Sequence, residues 1–206
     1  MNILNSDMLY WIMFAIPSIV IASTLHEYAH AWTATKLGDL TSKVNGRLTL
    51  NPLKHIDPIG AICMVFFKFG WSKPVPINEF NFENRLRDTA LVSLAGPTSN
   101  ILLLFAIALF NSVVKPTGNL SLFLLTFAMI NIVLAVFNLL PIPPLDGHKI
   151  VRAFLPQKAR YYWENLERFQ ILFLIILLIP IFPFGSIISL FITRVSSFLL
   201  LTLGLI

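Results

Sequence analysis

His26-Glu27-Tyr28-Ala29-His30 brings two imidazoles and a carboxylate into five positions, directly after residues 8–25, which carry no charge. On a helix, positions i and i+4 lie one turn apart on one face, so both rings can ligate a single zinc ion. Glu27 stands about 100° round the helix axis and can reach a water activated by that metal. The chemistry on offer is metal-assisted hydrolysis, placed where little water is expected.

Such a site needs a third protein ligand and an open position for water. Polar residues are few in the apolar blocks, and Asp146 stands out among them, in the run Asn138-Leu139-Leu140-Pro141-Ile142-Pro143-Pro144-Leu145-Asp146-Gly147. An ionisable group at membrane depth is costly and marks function. Three prolines in four positions break the helix before it. A bilayer tolerates that only inside protein or beside a wet cavity. The broken end can aim Asp146 at the metal, with Gly147 permitting the turn.

The elements that position these groups follow from composition. The 206 residues are 56% hydrophobic and 12% charged, against about 25% charged in soluble domains. Residues 8–25, 89–114, 119–145 and 169–193 contain no Asp, Glu, Lys or Arg, and each is long enough to cross roughly 30 Å of hydrocarbon as a helix. The last block is broken by Pro180 and Pro183. It reads as helices over 169–182 and 186–205 joined by Pro183-Phe184-Gly185. The expected fold is an all-α polytopic membrane protein with about five to six transmembrane helices. It forms a single domain over 1–206, with a catalytic core at about 8–155 and a C-terminal helix pair over 167–206.

Of the fifteen Lys and Arg, eight fall in 36–87 and five in 149–168. Positive-inside reasoning places both basic regions in the cytoplasm and the Lys115 loop outside. The N-terminus is then outside, the C-terminus inside, and the site lies toward the cytoplasmic face of a cell-membrane protein. The first and third spans both run inward, which brings His26, His30 and Asp146 to one depth. The short apolar segment 56–69 is expected to be re-entrant or buried. The first hydrophobic stretch does not read as a signal peptide, because no Lys or Arg precedes it. The net charge of +5 records topology rather than a nucleic-acid partner. Cys63 is the single cysteine and excludes an internal disulfide and a thiolate zinc cluster.

Between the first span and 56–69, Asn45-Gly46 supplies the positive φ angles of a type I′ turn, and Leu48 and Leu50 alternate with polar neighbours. This predicts a small β-hairpin over 43–50. Its edge can hold an unwound substrate strand, with Val44 and Leu48 as contacts. Asn100 either lines the site as a substrate contact or bridges helices, and Gly96 and Pro97 permit close packing. His55 reads as a loop histidine satisfied by backbone, and His148 as an interfacial bystander.

Taken together, these motifs resemble the site-2 protease family of intramembrane zinc metalloproteases. HExxH near the end of an early hydrophobic helix is followed over 100 residues later by N-x-x-P-x-P-x-L-D-G. The stretches Leu94-Ala95-Gly96-Pro97-Thr98-Ser99-Asn100 and Asn51-Pro52-Leu53-Lys54-His55-Ile56-Asp57-Pro58-Ile59-Gly60 look like the short, PDZ-less bacterial branch, and the resemblance covers about residues 10–155. It implies one zinc held by His26, His30 and Asp146, and water activated by Glu27. It also implies that Asn138 touches substrate or steadies the oxyanion. The implied partners are a transmembrane or membrane-associated protein substrate and the lipid bilayer. HExxH specifies activated water and not the bond attacked, so a membrane zinc hydrolase of a non-peptide substrate is one alternative. A non-catalytic metal-binding transporter or scaffold is the other, and the intact Glu27 speaks against it.

Overall fold

The computed structural model describes residues 6–67, 70–178 and 187–206. α1 (Ser6–Tyr10), a π-helical turn (Trp11–Ala15) and α2 (Ile16–Lys36) follow one another directly. Next come α3 (Thr41–Val44), α4 (Pro58–Phe67), α5 (Arg85–Val114) and α6 (Gly118–Asn138). The chain continues through α7 (Asp146–Phe154), α8 (Gln157–Asn165), α9 (Gln170–Leu178) and α10 (Ile187–Thr202). Among the described residues, three helices are long and apolar enough to cross a membrane: Met8–Lys36, Arg85–Val114 and Gly118–Asn138. The protein is therefore an all-α membrane protein, as composition predicts. The expected Pro183-Phe184-Gly185 joint lies outside the described residues.

α2, α5 and α6 pack against one another, α7 lies along α5, and α10 closes on α6. The bundle sorts its contents along its length. One part is apolar, built from Ala22, Leu104, Ile107, Leu124, Phe127, Ala128, Ile132 and Leu200. Further along the same helices the buried residues become polar, with His26, His30, Asn100 and Asn131 each no more than 6% exposed. Local sequence fixes where the long helices begin and end. The Asn84 side chain accepts the Arg87 N–H at 3.1 Å to start α5. Lys115, with φ of 49°, ends it in the left-handed region.

The predicted β-hairpin is absent, and Asn45-Gly46 serves another purpose. Asp39 Oδ1 accepts the Thr41 N–H at 3.0 Å, which starts a helical turn before the Asn-Gly pair is reached. Gly46, at φ of 65°, then ends α3. Its N–H reaches Lys43 O at 3.0 Å and the Arg47 N–H reaches Ser42 O at 2.8 Å. This pair of bonds is a Schellman cap. A positive-φ glycine serves a helix end as well as a hairpin, and the aspartate upstream decides which. Val44, 82% exposed, and Leu48 therefore have no strand from which to pair with substrate.

The short apolar segment is α4, and the chain comes back beside its start. A Cβ on Gly70 would stand 2.3 Å from Gly60 O, and one on Gly60 would stand 2.3 Å from Trp71 O. Only two glycines allow these backbones to touch. Just beyond, Ile56 and Ser72 form an antiparallel bridge, and the Lys73 N–H donates to His55 O at 2.8 Å. α4 thus leaves and returns at one level, and Trp11 Nε1 ties it to the bundle through Met64 O at 3.0 Å.

Candidate metal centre

The two histidines one turn apart on α2 do share a face, and Asp146 meets them from the first turn of α7. His26 Nε2 and His30 Nε2 are 3.0 Å apart, and each is 3.3 Å from Asp146 Oδ2. Donors about 2.0–2.1 Å from one tetrahedral zinc lie about 3.3 Å from each other. The triangle therefore has the size that a single zinc requires. Among the described residues these three form a group able to hold a metal ion.

The ring protons settle which ring nitrogens are free to take a metal. His30 Nδ1 lies 2.7 Å from Val92 O, a carbonyl that only accepts, so Nδ1 carries the proton. His26 Nδ1 lies 2.7 Å from Asn100 Oδ1. The Asn100 amide is oriented by its nitrogen, which donates to Asn131 Oδ1 at 2.9 Å. Asn131 donates in turn to Phe127 O at 2.8 Å. The relay runs in one direction and ends on a helix carbonyl. Both Nε2 atoms are left with lone pairs that face each other and a carboxylate, an arrangement that repels itself until a cation joins it.

α5 and α7 approach this point closely. A Cβ on Gly96 would lie 2.4 Å from His30 Nε2 and 2.6 Å from His26 Nε2. Gly96 thus permits the close packing expected of it, and the partners are the His26 and His30 rings themselves. Pro97 follows and has no N–H to give Ser93 O in the preceding turn, one residue on from Val92, whose carbonyl accepts the His30 Nδ1–H. The proline-broken run places Asp146 as expected. Leu145 precedes α7 without a side-chain cap, and its N–H donates to Ile142 O at 2.9 Å, closing a turn. A Cβ on Gly147 would strike Leu139 O at 2.3 Å and Leu140 O at 2.4 Å. The start of α7 is thereby seated on the end of α6.

Glu27 is buried, 8% exposed. Its Oε1 accepts from Ser72 Oγ at 3.0 Å and its Oε2 from the Val75 N–H at 2.9 Å. Asn138 stands at the end of α6, with its amide nitrogen turned back to Leu134 O at 3.0 Å. Asn100 bridges α5 to α6 and also holds His26. Asn131 and the Ser72–Val75 pair escaped the sequence reading. Asn131 had a signal, a lone amide in an apolar run, whereas a loop hydroxyl and a loop N–H had none.

The other two histidines belong to the scaffold. His55, 1% exposed, places Nε2 2.8 Å from Thr49 O, satisfied by backbone as expected. His148 is no interfacial bystander. It is 1% exposed, stacks on Trp163 at 5.0 Å between ring centroids, and exchanges bonds with it. His148 Nε2 lies 3.2 Å from Trp163 O, and Trp163 Nε1 lies 3.0 Å from His148 O. This clamp joins α7 to α8.

Comparison with known proteins agrees with the geometry. The model of peptidase family M50 matches residues 107–182. "Putative zinc metalloprotease YwhC" of Bacillus subtilis is 37% identical over 84% of this chain and 82% of its own length. "Putative zinc metalloprotease Rip2" of Mycobacterium tuberculosis is 31% identical over 80% of this chain and 66% of its own. "Zinc metalloprotease MJ0392" of Methanocaldococcus jannaschii is 26% identical over 78% of this chain and 39% of its own. No solved structure matches.

Proposed function

Since the chain belongs to peptidase family M50, the site-2 protease family, and is a zinc metalloprotease, we propose that it cleaves membrane-embedded or juxtamembrane segments of protein substrates. Membership in a peptidase family sets aside both alternatives, the non-peptide hydrolase and the metal carrier. The observation that carries the reading is the triangle of His26, His30 and Asp146, set among helices long enough to cross a bilayer.

His26, His30 and Asp146 would hold the zinc, and Asn100 and Val92 O keep the two imidazoles in the ligating tautomer. Bound there, zinc supplies a Lewis acid and brings the pKa of water toward neutrality. Glu27, next to His26 on α2, takes the proton of the attacking water and later hands it to the leaving amine. The Asn138 amide serves the developing oxyanion by exchanging its bond to Leu134 O for one to substrate. A substrate helix hides its carbonyls in its own hydrogen bonds, so it unwinds locally before attack. The basic regions 36–87 and 149–168 support a site toward the cytoplasmic side of the cell membrane.

The Glu27→Gln variant tests the reading. It should keep its zinc, measured by metal analysis of the purified protein. It should lose cleavage by about 100-fold or more, the usual scale of a general base. Cleavage at the wild-type rate would sink it.

A further inference from the structure

We propose that Ser72 is a positioning residue for Glu27, acting with the Val75 amide to fix the plane of its carboxylate; this rests on the reading of Glu27 as the base. A carboxylate held by one hydrogen bond can still rotate about it. Donors on both oxygens define its plane, and Glu27 has one on each, from Ser72 Oγ and Val75 N. Each oxygen has two lone pairs, so each keeps one for a water.

The segment carrying these donors is anchored independently of Glu27. Ser72 pairs with Ile56 across the antiparallel bridge. The Lys73 N–H donates to His55 O at 2.8 Å, and Lys73 O accepts from the buried Arg47 guanidinium. Pro76 O accepts from Ser42 Oγ at 2.6 Å, and the Asn78 N–H donates to Asp39 Oδ2 at 2.8 Å. The prolines narrow its use further. In Pro74-Val75-Pro76 only Val75 has an N–H, and that N–H goes to Glu27. No donor is left in these three residues for a substrate strand to pair with. This stretch is built to present two donors to one carboxylate.

The test compares Ser72→Val with Ser72→Thr, two side chains of the same shape that differ in the hydroxyl. The zinc-loaded full chain is assayed in proteoliposomes against a panel of synthetic single-span peptides. Ser72→Val should lower kcat by about 10- to 100-fold, the scale of a hydrogen bond to a charged group. KM and bound zinc should stay at wild-type values, and Ser72→Thr should restore kcat. The Glu27 carboxylate stretch, assigned by infrared difference against Glu27→Gln, should shift in Ser72→Val and not in Ser72→Thr. Equal kcat in the two variants, or superimposable carboxylate bands, would overturn the positioning role. A wild type that cleaves none of the peptides, with the band shift present, would overturn the protease reading and leave the Ser72–Glu27 bond standing.

Discussion

The metal-facing groups and the Glu27 carboxylate sit side by side on α2, yet different kinds of structure hold them. His26 and His30 are fixed from inside the bundle, by a buried amide relay through Asn100 and Asn131 and by the Val92 carbonyl of α5. Glu27 is fixed from outside it, by a proline-rich connection pinned through Ser42, Arg47 and Asp39. Helix packing fixes the ligand side, because a side chain cannot move there without disturbing its neighbours on another helix. The base side depends on a connection whose shape comes from individual hydrogen bonds. The two sides should therefore fail separately.

The largest separation is expected from Gly96→Ala. Its methyl would overlap both ligand nitrogens, so bound zinc should fall to background while circular dichroism shows the helices intact. Full zinc occupancy in this variant would show that α5 can yield and that the ligand side is not rigid. Asn100→Leu should act in the same direction with less force. Removing a hydrogen bond to a ligating histidine weakens metal affinity by about 10- to 100-fold. Competition with a chelator measures this, and Asn131→Leu, one bond further out, should lose less.

The smallest effect should come from Asp39, at the far end of the connection that holds the base. Burial by itself favours neutral Asp39, but hydrogen bonds from Thr41, Asn78 and Asn81 outweigh it and hold the carboxyl below its ordinary value of 3.8. A carboxylate depressed on folding contributes stability above the unfolded value, and loses it as pH falls through the folded one. Wild type should therefore lose more thermal stability between pH 7 and an acid pH below 3.8 than Asp39→Asn does. At pH 7 the variant should keep its zinc and lose part of its activity. Loss of zinc instead would join the two sides into one unit.

The ligand side was largely legible in the sequence because helical spacing is a fixed geometry. His26 and His30 could meet only on one face, and a charged Asp146 after three prolines had few other uses in an apolar block. The Asn138–Leu134 bond and the Asn100 bridge were not decidable, since an amide in a membrane helix has several partners within reach. Asn45-Gly46 misled for a physical reason. The same positive-φ residue ends a helix or turns a hairpin, and the deciding contact, Asp39 on Thr41, is a side-chain bond that leaves no periodicity.

What the sequence indicated by itself was a donor set and its setting: two histidines and an aspartate suited to a metal ion, with a glutamate beside them, in a helical membrane protein. These depend on residue type, spacing and apolar length, all of which are local. Only the tertiary structure decided which nitrogen of each ring is left free for a metal, and that Gly96 leaves room for the rings. It also decided that Ser72 and Val75 hold Glu27. Each of these is a contact between residues from 45 to 74 positions apart, chosen by packing after the chain has folded back on itself.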